Sequence, residues 1–365
     1  MISMFVDPFF GKLSRLVPQF AVDGVDYFLK LLFHILRAMR IIRLSRDSEK
    51  ATTLRSKVIW AEALNRGIHM EQIVVFGKYT DNYRAKVQGK YIYFDSLPLP
   101  HRPLNDNEEW DDKFYMKKVF AGENIPIPAC HSLPIFKKDR RKIFDKLQKP
   151  VIVKPRKGSR GRHTTTNIEA WDEFEKAYQR AKVLSPEVVG EEHLKGYVCR
   201  ATCVAGKLAG FYRAEQASIT GDGKKSIIEL IDEKNKNRPE RVSEIKFTDE
   251  INESIKRLGF KKEDVLPMGT KVELSHRTGR LFGGITKEML DELHPSFVPV
   301  LEKAAQATTL SVVGMDCIIP NPEHPEDSQR WGIIECNTLP FIDLHYYALD
   351  GKPKNIAGMI WDLWK

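Results

Sequence analysis

Val313-Gly314-Met315-Asp316-Cys317-Ile318-Ile319 and, after a long turn, Trp331-Gly332-Ile333-Ile334-Glu335-Cys336-Asn337 decide how this chain is read. Each run is apolar enough for a buried strand. The first encloses a single acid, and the second ends in an acid and an amide. Side chains two apart on a strand share a face, so Glu335 and Asn337 project together. A hairpin pairing the two runs brings Asp316 to that face. Three hard oxygen groups converging on a sheet suit Mg²⁺, which takes a few protein oxygens and completes its shell with phosphates and water. An acid in a buried strand is costly unless it is paired or binds a metal. A strand with one solvated face would carry the same residues, since charges ordinarily sit outside, so the rest of the chain must decide.

The 365 residues permit one large or two modest domains, and 42% hydrophobic with 29% charged residues describes a globular chain. Five cysteines without a Cys-x-x-Cys pair give neither a disulfide framework nor a zinc knuckle, which fits a reducing cytoplasm. The formal charge of +9 favours anionic partners. No nucleic-acid motif and no basic patch interleaved with aromatics accompanies it, so nucleic acid is not an expected partner.

Residues 1–50 form an N-terminal segment whose Val25–Leu44 stretch reads as an amphipathic helix. Phe28, Leu31, Leu32, Ile35, Leu36, Met39 and Ile42 share one face, and Lys30, His34, Arg37 and Arg40 lie opposite. These charges exclude a membrane-spanning segment, and no signal-peptide layout is present. The helix can lie on an anionic membrane as a peripheral contact, or dock on the protein itself or on a second subunit as a dimer contact; docking is the commoner fate. Residues 51–110 read as a small α/β domain: helix Ser56–Arg66 stopped by Gly67, strand Gln72–Phe76, and a hairpin over Lys86–Phe94 about Gly89-Lys90. A proline-bearing linker over Leu97–Asn107 leads to the main domain, residues 111–365. There the pattern predicts a helix over Asp111–Ala121, extended Ile125–Pro128, a buried strand Val151–Pro155, a helix Ile168–Leu184 capped by Asn167, and a strand opening at Val188. A hairpin of Val198–Val204 and Lys207–Tyr212 around Ala205-Gly206 follows.

Chemistry accumulates along this order. Lys154 ends a buried strand just before the basic loop Arg156-Lys157-Gly158-Ser159-Arg160-Gly161-Arg162, where glycines let a backbone approach phosphate oxygens. The Walker arrangement is absent. Glu191-Glu192-His193-Leu194 follows a strand, where a carboxylate or carbonyl could accept an adenine amino group.

Taken in series with Asp112-Lys113, Lys117, Ile125-Pro126-Ile127-Pro128 and Gly283-Gly284 through His294-Pro295, these motifs resemble the ATP-grasp superfamily. Thr220-Gly221-Asp222-Gly223-Lys224-Lys225-Ser226-Ile227-Ile228-Glu229-Leu230-Ile231 through Asn235 is similar to a segment of its cyanophycin synthetase branch. The resemblance covers about residues 111–365. It implies an α+β ATP-grasp fold, two α/β subdomains clasping ATP, preceded by the small α/β domain and the amphipathic helix. It also implies roles. Lys113 and Lys154 contact phosphate, Gly158, Ser159 and Gly161 lie in a closing loop, and Glu191, Glu192, His193 and Leu194 form the adenine hinge. Asp316, Glu335 and Asn337 hold two Mg²⁺ ions. Arg200, and less directly Arg277, guide substrate or the transferring phosphate, although a strand arginine in a salt bridge would look the same. The implied activity is ATP-dependent carboxylate–amine ligation through an acylphosphate. A kinase-like phosphoryl transfer, or an inactive membrane-associated nucleotide binder, are the alternatives. Departures are Val198 where relatives carry a ribose-binding acid, Leu339-Pro340-Phe341 after Asn337, and Thr278-Gly279-Arg280-Leu281 before Gly283. The chain ends at Lys365 without a Mur-ligase-like half, so polymer synthesis by this chain alone is not expected.

Overall fold

The computed structural model describes residues 36–39, 41–100, 110–158 and 163–365. The first sheet is an antiparallel meander, β1 (Ile42–Ser45), β2 (His69–Val75), β3 (Lys78–Val87) and β4 (Lys90–Asp95), with helix α1 (Leu54–Asn65) between β1 and β2. Thr53 caps α1 by accepting from the Ser56 N–H, and Gly67 follows the helix at φ +67°. Gln88-Gly89 turns the last hairpin with both φ angles positive, the pairing a two-residue hairpin favours. One expectation is corrected here. Residues 36–38 are helical, but Ile42–Ser45 is a strand. Ile42 and Leu44 pair in register with Val75 and Ile73, so a sheet edge claims residues whose spacing also fits a helix face. The earlier part of the amphipathic stretch lies outside the described residues.

Helix α2 (Lys113–Gly122) leads to a second layer of β5 (Cys130–Ser132), α3 (Lys137–Lys146), β6 (Val151–Pro155), β7 (Thr165–Ile168), α4 (Trp171–Lys182) and β8 (Val188–Glu192). Its sheet order is β5-β8-β6-β7, and Phe144 of α3 packs on Phe174 of α4 with ring centroids 5.0 Å apart. The predicted start of α4 is also corrected. Ile168 pairs with Val151 on β6 and is buried, Asn167 sits in the strand at φ +57°, and the helix is entered through Ala170. Ladder hydrogen bonds to β6 outweigh the capping tendency of the asparagine.

The chain then makes the hairpin of β9 (Tyr197–Val204) and β10 (Lys207–Ala214) about Ala205-Gly206, at φ +50° and +73°. It leaves for a lobe of β11 (Gln216–Thr220), α5 (Ile227–Lys236), α6 (Asp249–Arg257) and β12 (Lys271–Thr278), which has its own core around Ile227, Ile231, Leu266 and Leu274. It returns through β13 (Thr286–Glu288), α7 (Phe297–Ala307), β14 (Val312–Ile319) and β15 (Gly332–Asn337). The result is a five-stranded antiparallel sheet, β13-β10-β9-β14-β15. One face of it packs Phe211, Met315, Cys317 and Ile333 against Phe297 and Leu301 of α7 and Phe120 of α2. After α8 (Asp343–Tyr346), α9 (Ile356–Asp362) lays Ile360 and Trp361 on Trp60 of α1 in a cluster that also contains Val204 and Val312. The first and central sheets therefore share buried side chains across residue 110. Among the described residues no helix is long and apolar enough to cross a membrane.

Candidate active site

Strand register assembles the site. Glu288 lies opposite Tyr212, Tyr212 opposite Arg200, Arg200 opposite Asp316, and Asp316 opposite Glu335. Directly opposed residues share a face, so five polar side chains cross five strands in one row. The neighbouring row is Gly210, Thr202, Gly314 and Asn337. Its glycines make room. A Cβ on Gly210 would stand 2.5 Å from Nδ1 of His345, and one on Gly314 would stand 2.7 Å from Cβ of Pro340. His345 uses that space to reach Oε2 of Glu288 at 2.5 Å and Thr202 Oγ1 at 2.8 Å.

The acids of the row are held by cations. Arg200 grips Asp316 through both Nε and Nη2, the latter at 2.8 Å, and Asn337 Nδ2 stands 3.4 Å from the same carboxylate. Burial works against the charge of Arg200, but Asp316 outweighs it and keeps the guanidinium firmly protonated. Burial likewise pushes Tyr212 up to about 12, with Arg200 opposing. Lys113 Nζ lies 3.3 Å from Glu335 Oε2 and donates to the Gly158 carbonyl at 2.8 Å, which ties the glycine loop to β15. Asp112 fixes this geometry. It caps α2 by accepting from the Phe114 and Tyr115 N–H groups, and it pairs with Arg156 at 2.7 Å.

A second cluster backs the first. Glu191 is buried and receives Lys117 Nζ at 2.8 Å and Lys154 Nζ at 2.9 Å. Burial would raise its carboxyl, yet the two ammonium groups bring it down to about 2. Burial pulls Lys117 down. It opposes Lys154 too, but Glu191 and Glu335 hold that lysine above the usual range. Lys117 also donates to the Ile334 carbonyl at 2.9 Å, next to Glu335.

The structure thus brings Lys113, Lys154, Gly158, Glu191, Arg200, Asp316, Glu335 and Asn337 into linked contacts. Ser159 and Gly161 lie outside the described residues. In the expected hinge both carboxylates are engaged: Glu191 as above, and Glu192 with Arg330 Nε at 3.0 Å and the Ala129 N–H at 3.1 Å. The His193 N–H is also engaged, donating to the Pro150 carbonyl at 3.1 Å, whereas the buried Nδ1 of the His193 ring has no hydrogen-bond partner. Arg277 lies on β12 with its guanidinium 5.2 Å from the Phe282 ring. From this segment it is Arg280 that reaches the row, binding buried Asp343, and both act electrostatically on Tyr212. Sequence reasoning assigned no role to Lys117, although its spacing of four from Lys113 puts both on one helix face. Tyr212, Glu288, Arg280, Asp343 and His345 carried no local signal.

Two carboxylates and one amide oxygen are a hard donor set that Mg²⁺ would complete with phosphates and water, so the residues present fit that ion. Among the described residues no group of three or more His, Cys, Asp or Glu side chains could hold a metal without such help.

No family model matches the chain. Cyanophycin synthetase of Synechocystis sp. is 29% identical over 260 residues, covering 69% of this chain but 30% of that protein. A glutathione biosynthesis bifunctional protein of Clostridium perfringens is 26% identical over 372 residues, 96% of this chain and 46% of its own length. The chain therefore spans less than half of each of these curated relatives. A bifunctional glutathione synthetase from Pasteurella multocida superposes with a TM-score of 0.65 at 20% identity, over 88% of this chain and 45% of that one. The chain resembles the ATP-grasp superfamily and its cyanophycin synthetase branch, and its α+β fold is the ATP-grasp fold.

Proposed function

We propose that this chain is an ATP-dependent carboxylate–amine ligase that forms an amide through an acylphosphate. The observation that carries the reading is the registered row, in which Asp316 and Glu335 face the same space as Arg200, Lys113 and the glycine loop. Phosphoryl transfer needs little covalent help from a protein and much positioning and charge stabilisation, and this row supplies both. Asp316, Glu335 and Asn337 would hold Mg²⁺, two ions in this reading, which when bound neutralises charge on the phosphate oxygens. Arg200 released from Asp316 and Lys113 released from Glu335 are then the cations available to the transferring group. An oxygen of the substrate carboxylate attacks the γ-phosphorus of ATP, and the bond to the β-phosphate oxygen breaks to give ADP. The amine nitrogen, in its neutral form, attacks the acyl carbon, the C–O bond to phosphate breaks, and the departing phosphate takes the proton that the nitrogen sheds as the amide forms. The loop tied to Lys113 through Gly158 would keep water from the acylphosphate. The His193–Leu194 backbone would receive adenine. The substrates belong to the class of small-molecule or peptide carboxylates and amines. A cytoplasmic setting, with a membrane or dimer contact through residues 25–44, is part of the same proposal; flotation of the full chain against one lacking residues 1–50 tests it.

The test of the chemistry is ADP and phosphate release with ATP and Mg²⁺ against pooled amino acids, dipeptides and dicarboxylates, with Lys154→Ala and Glu335→Ala as controls. Release that requires both an acid and an amine, and that vanishes in both variants, is the expected result. Release without any amine would replace ligation by phosphoryl transfer. Failure to bind Mg·ATP at all would refute the assignment.

A further inference from the structure

Four large apolar side chains stand exposed at one end of the α3/α4 pair: Ile135 and Phe136 at 74% each, Val183 at 80% and Leu184 at 39%. The contacts between the two helices show that these residues belong together. Arg140 pairs with Glu175 at 2.7 Å and its guanidinium lies 3.9 Å from the Tyr178 ring, whereas Phe144, one turn later, meets Phe174 and Trp171. The helices run antiparallel, so the start of α3 and the end of α4 coincide. This tip is built rigidly. Arg140 is 3% exposed, and besides Glu175 it binds the carbonyls of Pro134, at 3.0 Å, and Ile135. A buried arginine thus fixes a short segment that offers isoleucine and phenylalanine to the outside.

Cations ring the tip. Lys137 and Lys138 open α3, Arg180 and Lys182 close α4, and all four are exposed. Asp139, the acid beside them on α3, is paired with Lys142 at 2.9 Å. We propose that this tip docks on an anionic lipid surface, its apolar side chains entering the headgroup boundary and its cations meeting lipid phosphate. Charge complementarity selects this occupant over a second copy of the chain. A symmetric dimer about the tip would set one ring of cations against its own image, which opposes association. The tip also adjoins the glycine loop: a Cβ on Gly158 would meet Leu184 Cδ2 at 3.4 Å. Lipid contact would therefore fall beside the phosphate-facing segment.

The experiment is co-sedimentation of the full chain with phosphatidylcholine vesicles made with and without phosphatidylglycerol. Binding is expected only with the anionic lipid and should weaken as salt rises. Lys137→Gln/Lys138→Gln should lower the partition coefficient by roughly fivefold per lysine. Ile135→Ser/Phe136→Ser should lower it by about tenfold or more while leaving thermal unfolding unchanged. No sedimentation with anionic vesicles would overturn the proposal. So would equal binding by wild type and both variants, which would place any membrane contact elsewhere, for instance in residues 25–44. A free protein that is dimeric as wild type and monomeric as Ile135→Ser/Phe136→Ser would also overturn it, by making a second copy the occupant.

Discussion

Glu191→Gln isolates the cluster behind the row. The substitution keeps the shape of the side chain and removes the one carboxylate that Lys117 and Lys154 share, at 2.8 and 2.9 Å. Both lysines are buried, so two ammonium groups lose their counter-ion where water cannot replace it. The drop of Glu191 from an ordinary 4.5 to about 2 corresponds to roughly 3 kcal/mol of folding stability. Breaking a buried pair by deleting one partner costs about 3–5 kcal/mol, the same range. The sign follows from the lowered carboxyl. The contribution is complete above about pH 4.5 and is lost as pH falls through about 2. Urea unfolding of wild type and Glu191→Gln at pH 7 should therefore differ by about 3–5 kcal/mol, and the difference should shrink toward zero as pH approaches 2. Lys117→Met should cost less, because Lys154 stays on the carboxylate. A difference under about 1 kcal/mol at pH 7, or an equal difference at pH 7 and pH 3, would refute the reasoning.

Three further outcomes follow from the same geometry. Gly210→Ala sets a Cβ 2.5 Å from His345 Nδ1 and 2.9 Å from Ile356 Cδ1, so it should destabilise by about 1–3 kcal/mol in thermal unfolding. Full stability would show that His345 can move aside. Arg200→Ala uncovers Asp316, so calorimetry without nucleotide should show tighter Mg²⁺ binding while nucleotide turnover falls; unchanged Mg²⁺ affinity would mean that Arg200 does not compete for that carboxylate. Asn235→Ala removes the amide that accepts from the Ile245 N–H at 2.8 Å and donates to its carbonyl at 3.0 Å. Leaving both backbone groups buried without partners should cost about 2–3 kcal/mol, read from the unfolding midpoint.

Where local pattern and tertiary structure agree, the reason is that the signal is short-range. The Asp316 and Glu335 strands were legible because a period of two with one acid inside an apolar run leaves few other placements, and the hairpin register then put the two acids opposite one another. Gly67 stops the first helix at φ +67°, as its place after the periodic run predicts. Where pattern misled, a longer-range partner intervened. Ile42 and Asn167 have neighbours fit for a helix, and each was taken by a strand already present, β2 in one case and β6 in the other.

By itself the sequence was enough to place the strands that carry Asp316, Glu335 and Asn337, the strand that carries Lys154 into its glycine loop, and the hairpin about Ala205-Gly206, because each depends on residues a few positions apart. Only the tertiary structure decided which charges meet. Glu191 turned inward to two lysines, one of them 74 residues away, and Arg200 closed on Asp316 across 116 residues. Arg280 found Asp343, and His345 found Glu288 through the gap left by Gly210. Such pairings are fixed by cross-strand register and by the space a missing Cβ leaves. Both are properties of neighbours in space, and no local spacing along the chain encodes them.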